Sequence, residues 1–334
     1  MTKLRIIDLF SGAGLFSEGF RQAGFVPVFA IDLDDDAVKT YNQNVMEVAA
    51  VGYVDETIDM PRAEVVIAGP PCQGFSTLGR RDPADRRNQL SLALPSLVDK
   101  SGASIAVVEN VPPFLNSAPW RQMEREFNKL GYAVQTWVLN AAHFGTPQLR
   151  ERAFTIASRL GHLDEPEGNN DLVQSATIFP RIAKGDPLHV WPDPTDLALT
   201  RMNLIPPRGD KRDVLRIAPH LSPPSWARIG AQATDVWGRV DPDKPTNTLR
   251  CRFQNPSTGR YIHPTENRVL SLREGARIQG VPDTWRFLGD RTSIARQIGN
   301  GVPVALSRAV AQSVLKRLST SRANHLIENL AFAA

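Results

Sequence analysis

The chain has 334 residues, enough to bury a large core and to form two domains, and 42% of them are apolar, an ordinary share for a globular protein. A net charge of +4 is compatible with a nucleic-acid partner without identifying one. The two cysteines, Cys72 and Cys251, lie far apart and the six histidines show no metal spacing, which argues against a disulfide framework or a structural zinc. No apolar run approaches the roughly 18 residues that span a bilayer, so no membrane partner is expected. Met1 runs straight into strand-like residues with no basic-then-apolar signal segment, so a reducing, cytoplasmic setting is expected.

In chain order, residues 5–10, 26–32, 65–69, 105–110, 132–140 and 152–158 read as strands. Residues 16–23, 35–45, 90–99 and 120–130 read as helices between them, and Gly131 suits the stop of the last. Such alternation predicts an α/β domain with a doubly wound, mostly parallel sheet and helices on both faces. The pattern then changes. Thirteen of the 26 prolines fall between Pro180 and Pro264, a density that breaks helices and central strands, so this segment is expected to be loop-rich with short edge strands. Residues 159–200 carry 3 Lys and Arg against 7 Asp and Glu, whereas residues 201–260 carry 11 against 5. The basic part also holds Trp226, Trp237, Phe253 and Tyr261 with Asn and Gln. It fits either a surface that reads base edges or a solvated face over buried tryptophans. Residues 302–318 are amphipathic, and residues 319–334 read as a frayed end or a short peripheral helix.

Two local patterns carry chemistry. Asp8–Gly14, DLFSGAG, is a strand running into a turn whose Gly12 and Gly14 let backbone approach a ligand. The third glycine of a dinucleotide fingerprint would fall at Ser17, so a nucleoside-type cofactor such as S-adenosylmethionine fits better than NAD. Asp32, about 20 residues on, ends the second strand, where a carboxylate either accepts from a ribose diol or caps the next helix. Residues 69–76, GPPCQGFS, set Cys72 on a stiff Pro-Pro turn after a buried strand, at the sheet rim where ligands of open α/β folds bind. Locally, a nucleophilic and a packed cysteine both remain open there; Cys251 reads as packing.

Six blocks in order resemble the cytosine-5 DNA methyltransferases of the prokaryotic monospecific type: DLFSGAGLFSEGF from Asp8, GPPCQGFS from Gly69, ENV from Glu109, QLRER from Gln148, RVLSLREGARIQGVPD from Arg268 and QIGNGVPV from Gln297. The resemblance covers nearly the whole chain outside the proline-rich middle. It implies a catalytic and cofactor-binding domain at 1–158, a smaller target-recognition domain at 159–266, and a return segment at 267–334 completing the first. Cys72 matches the nucleophile that adds to cytosine C6. Glu109 matches the acid at N3, with Asn110 beside it orienting the loop. Arg152 matches the arginine facing O2, and Arg150 its neighbour near Cys72 and the phosphates. For S-adenosylmethionine, Phe10, Gly12, Gly14 and Leu15 match the turn, Asp32 the ribose acid, Asp55 and Glu56 the adenine edge, Pro70 and Leu90 flanking contacts, and Asn300 and Val302 the methionine side. Ser76, Arg80 and Arg81, on a segment expected to close over a flipped base, are implied DNA contacts, as are Arg250 and Arg252.

What the resemblance implies, then, is a monomeric enzyme methylating C5 of cytosine at a defined site in double-stranded DNA, alone or paired with a restriction endonuclease. Two positions depart from the pattern. Leu33 follows Asp32 where the family often has tryptophan, so adenine stacking must come from elsewhere, and Glu56 stands where an isoleucine is usual. The alternatives are an RNA (tRNA) cytosine-5 methyltransferase of the same fold and a non-catalytic DNA-binding relative. The Cys-Phe-Thr signature of the first is absent, since Cys251 is followed by Arg252 and Phe253; the second should have lost Cys72, Glu109 or the arginines, and all are present.

Overall fold

The computed structural model describes residues 3–71, 86–229 and 235–332, with the backbone alone at 86–89, 227–229 and 324–332. The elements in chain order are β1 (Arg5–Leu9), α1 (Leu15–Gln22), β2 (Val26–Asp32), α2 (Asp35–Asn44), β3 (Ala49–Val51), β4 (Val65–Ala68), α3 (Leu94–Ser101), β5 (Ile105–Asn110), α4 (Ala118–Lys129), β6 (Ala133–Asn140) and β7 (Glu151–Ser158). They are followed by α5 (Asp196–Asn203), α6 (Lys211–Ile217), α7 (Pro224–Ile229), α8 (Leu272–Ile278), α9 (Arg291–Asn300) and α10 (Val304–Phe332).

The chain divides into two compact units: 1–140 with 151–168 and 304–334, and 141–150 with 169–303. Residues 267–303, grouped above with the return segment, therefore belong to the second unit, and so do residues 141–150.

The first unit holds one sheet of order β3-β2-β1-β4-β5-β7-β6. Pairings from β3 to β5 are parallel, and β7 runs antiparallel between β5 and β6. No crossover helix lies between β6 and β7, so β7 must reverse. The four residues of β4, VVIA, are all buried, the continuous apolar run of a central parallel strand. Against one side of the sheet pack Leu97, Val98, Phe114, Met123 and Phe127. On α1, Gly19 is required by close approach: a Cβ there would lie 2.3 Å from Ser307 Cβ on α10, and Ser307 Oγ donates to the Phe16 carbonyl at 2.6 Å.

Three local expectations shift. β3 spans three residues, the last two exposed, too few to show alternation. Helix α3 starts at Leu94, not residue 90, with Pro95 in its first turn where a missing N–H costs nothing; residues Arg86–Ala93 form a 3₁₀ turn. Helix α10 runs on to Phe332, through a stretch without Gly or Pro.

In the second unit the proline-rich segment forms helices α5 to α7 and, in place of edge strands, isolated bridges such as Arg239 with Ile262 and Ile262 with Val269. Its core gathers Met202, Ile205, Val214, Trp226, Trp237, Ile262 and Val269. Beneath it the buried Arg239 donates to the carbonyls of Met202, Ile205, His263 and Glu266 and to the Asn267 side chain, so its charge is held by dipoles, which is how a buried cation is tolerated.

Candidate active site at the C-terminal rim of the sheet

The turn after β1 is built for close approach. Phe10 holds φ 60°, a left-handed conformation costly for an aromatic residue, and Gly12 and Gly14 follow at φ 51° and 89°. A Cβ on Gly14 would meet Val45 Cγ2 at 2.7 Å, so α2 excludes any side chain there. A Cβ on Gly12 would meet no described residue within 4 Å, so among the described residues the space above this turn is open. Gly12 N–H donates to Asp32 Oδ2 at 2.8 Å, and Asp34 N–H to Oδ1 at 2.9 Å. Burial pushes the Asp32 carboxyl up, opposed by these amides. A carboxylate has about four acceptor sites, so Asp32 retains capacity for a diol. An open glycine turn with an acid tied to its backbone fits a nucleoside cofactor.

Ser17, at the place of the missing third glycine, is fully buried and donates to Asp8 Oδ2 at 2.7 Å; Tyr41 in turn donates to Ser17 Oγ at 2.8 Å. Burial pushes the Asp8 carboxyl up to about 8, against the lowering effect of the Ser17 bond. This relay under the turn was not foreseen, although a serine at the glycine position was its visible signal. Leu15 is buried at the start of α1. Asp55 is exposed; the Thr57 hydroxyl and backbone amide hold its carboxyl below the usual range, and the neighbouring Glu56 is exposed. Leu90 is half-buried.

At the ends of β4 and β5 the rim becomes chemical. Arg152 Nε lies 2.8 Å from Glu109 Oε1, each side chain 13% exposed. The antiparallel β7 makes this pairing possible: Ala153 opposes Asn110, so the strand's first residues arrive at the C-terminal end of β5. Asn110, 3% exposed, donates from Nδ2 to the Pro70 carbonyl at 3.2 Å. Its amide thus fixes the backbone two residues before position 72. A Cβ on Gly69 would sit 3.8 Å from both Glu109 Oε2 and the Phe10 carbonyl, so turn, acid and strand exit share one rim. Cys72, Ser76, Arg80 and Arg81 lie outside the described residues.

In the second unit Arg150 is 2% exposed. Its guanidinium donates to the carbonyls of Leu249 at 2.8 Å, Gly299 at 2.9 Å and Gly301 at 3.2 Å. These bonds clamp backbone; the expected approach to Cys72 and the phosphates lies outside the described residues. Gln148 joins the clamp by accepting from Leu249 N–H and donating to Gln279, whose amide donates to the carbonyls of Ile298 and Gly301. Asn300 is exposed at the end of α9, its Oδ1 accepting from Cys251 Sγ at 2.7 Å, and Val302 is buried. Trp226, Trp237, Phe253 and Tyr261 are all buried, so they pack rather than present faces to bases. Arg250 pairs with Asp235 at 3.2 Å and donates to the Thr258 carbonyl, whereas Arg252 is exposed.

Several known proteins resemble this chain. The chain is 32% identical to the Type II methyltransferase M1.HphI of Haemophilus parahaemolyticus, over 94% of its length and 87% of that protein's. It is 33% identical to the Type II methyltransferase M.XorII of Xanthomonas oryzae pv. oryzae, over 95% and 86%. Among solved structures, the Entamoeba histolytica methyltransferase EhMeth superposes with a TM-score of 0.69 over 95% of this chain and 99% of that one, at 16% identity, a likeness of fold alone. The family model described as C-5 cytosine-specific DNA methylase matches residues 4–316, and with it the chain belongs to the C-5 cytosine-specific DNA methylases.

Proposed function

We propose that this methyltransferase takes its methyl group from S-adenosylmethionine, held by the Phe10–Leu15 turn and Asp32, and methylates cytosine through a covalent adduct on Cys72. The Glu109–Arg152 pair beside the exit of β4 carries this reading, because it puts an acid and a cation together at the strand end that leads into Cys72. Cytosine C5 is too poor a nucleophile to take a methyl group unaided. Addition of the Cys72 thiolate to C6 forms a C–S bond and moves the C5–C6 π electrons toward C5, splitting one hard step into two. Charge arriving on N3 and O2 is met by a proton from Glu109 and by the Arg152 guanidinium. The bound cofactor supplies a methyl group on a sulfonium, activated for displacement. Loss of the C5 proton to a base then re-forms the C5–C6 double bond as the C–S bond breaks, the Cys72 thiolate leaves, and N3 returns its proton to Glu109.

A stacked base cannot reach these groups, so the target is flipped out at a cost of a few kcal/mol. Ser76, Arg80 and Arg81 close over it, and Arg250 and Arg252 contribute DNA contacts; Arg250 would have to exchange Asp235 for a phosphate. Asn300 and Val302 complete the methionine side of the cofactor site. The protein acts as a cytoplasmic monomer, and a restriction endonuclease of the same site is its proposed partner. Bisulfite sequencing of DNA from cells expressing the chain should show one cytosine protected in one recurring sequence, and none with Cys72→Ala. Scattered or absent protection with soluble protein would overturn site-specific methylation.

A further inference from the structure

Three of the four tyrosines are buried: Tyr41, Tyr132 and Tyr261 are at most 2% exposed. Tyr53 is 70% exposed, and two apolar neighbours on the same rim are exposed with it, Leu33 at 57% and Val51 at 51%. Their place is specific. Val51, the last residue of β3, is in register with Asp32, and Gly52 N–H donates to the Asp32 carbonyl at 3.0 Å. No turn or bend lies between Val51 and Tyr53. Paired residues of parallel strands face the same side, and two further residues along the strand return to that side. Tyr53 therefore stands just past the ladder on the face of Asp32, whose carboxylate is tied to the open Gly12 turn.

The geometry points to Tyr53 as the surface on which the cofactor's adenine stacks, with Leu33 and Val51 flanking it. This rests on the proposal that Asp32 holds the ribose. A base attached to a ribose held there must lie over the adjoining rim, and on the β2–β3 side the described residues offer the exposed Tyr53 ring flanked by two aliphatic side chains, with Phe10 on the turn itself. Adenine gains from a π-face, and a rim phenol exposes one at small ordering cost, having two side-chain torsions to fix.

Calorimetric titration with S-adenosylhomocysteine tests this without requiring turnover. Tyr53→Ala should weaken binding about tenfold or more, from the usual worth of base–aromatic stacking. Tyr53→Phe should stay within about twofold, since the ring and not the hydroxyl makes the contact. Saturation of the tyrosine ring protons should transfer to the adenine H2 and H8 protons in the wild type. Because Tyr53 is exposed, the Ala variant should melt with the wild type, which separates lost contact from lost fold. If Asp32→Asn weakens binding and Tyr53→Ala does not, the adenine lies elsewhere while the ribose assignment stands. If the wild type does not bind S-adenosylhomocysteine, both fall.

Discussion

Single residues on the rim make separable claims. Cys72 has a chemical role and no proposed part in holding cofactor, so Cys72→Ala should abolish methyl transfer and leave S-adenosylhomocysteine affinity nearly intact; turnover above a few per cent of wild type would sink the nucleophile. In DNA carrying 5-fluorocytosine at the target, fluorine replaces the proton that must leave C5, and a denaturant-resistant protein–DNA species should accumulate. Glu109→Gln should slow its formation by removing the proton delivered to N3. Asp8 makes a claim about stability. Its folded carboxyl is raised to about 8 by burial, against about 3.9 in an unfolded chain. The folded state therefore holds the extra proton between those values, and stability falls as pH rises through them, by at most about 1.4 kcal/mol per pH unit. Asp8→Asn keeps an acceptor for Ser17 and cannot ionise. Between pH 5 and 8.5 its urea midpoint should fall less than that of the wild type, and parallel pH profiles would show that Asp8 does not titrate on folding.

At the scale of elements, the strands were legible because each is a short apolar run closed by a polar or glycine signal. Val26–Asp32 and Ile105–Asn110 match expectation to the residue, and β1, β4, β6 and β7 to within one. The edge strand β3 carries no such run. The rim's acid–arginine pair was legible from the resemblance, but the carbonyls that Arg150 holds were not: alternation along QLRER cannot say which buried backbone an arginine meets. Here Arg150 and Gln279 satisfy the carbonyls of Leu249 and Gly301 and those of Ile298 and Gly299 in the last turn of α9, where helical carbonyls have no partner of their own, and Gln148 holds Gln279 in place. Gly299 is part of the same packing, since a Cβ there would lie 2.5 Å from the backbone of Cys251. Arg150→Met should destabilise the protein by about 3 kcal/mol or more, because three carbonyls lose a charged donor at once. Arg150→Lys should recover only part, lacking the planar fork. Urea midpoints check this, and amide exchange at residues 299–301 should rise selectively in the Met variant. A midpoint unchanged by Arg150→Met would return Arg150 to the surface chemistry first expected of it.

For the whole molecule, most of the basic residues of 201–260 have a partner within the second unit, although its five acids leave six positive charges unmatched. Arg208 pairs with Asp241 and Asp243, Arg212 and Arg260 with Asp210, Arg216 with Asp213, and Arg239 is buried among carbonyls. Arg208, Arg212 and Arg216 still face solvent in these pairs, as do Arg252 and Lys244, the latter 3.8 Å from Asp241 and 75% exposed. DNA binding should therefore fall with salt by a slope set by a few phosphate contacts, well below that implied by eleven basic residues. Arg252→Ala should flatten that slope by about one contact and weaken all sequences alike if it meets phosphate, or relax one base position at about 1–3 kcal/mol if it reads an edge. Sequence choice is expected from this segment because its helices and turns sit on their own core around Trp226 and Trp237, so its loops can vary without disturbing the sheet. Exchanging residues 201–260 for the corresponding segment of a relative of different specificity should transfer the relative's site, read by bisulfite sequencing of DNA from cells carrying the chimera. A chimera that folds, methylates and keeps the original site would place recognition outside this segment.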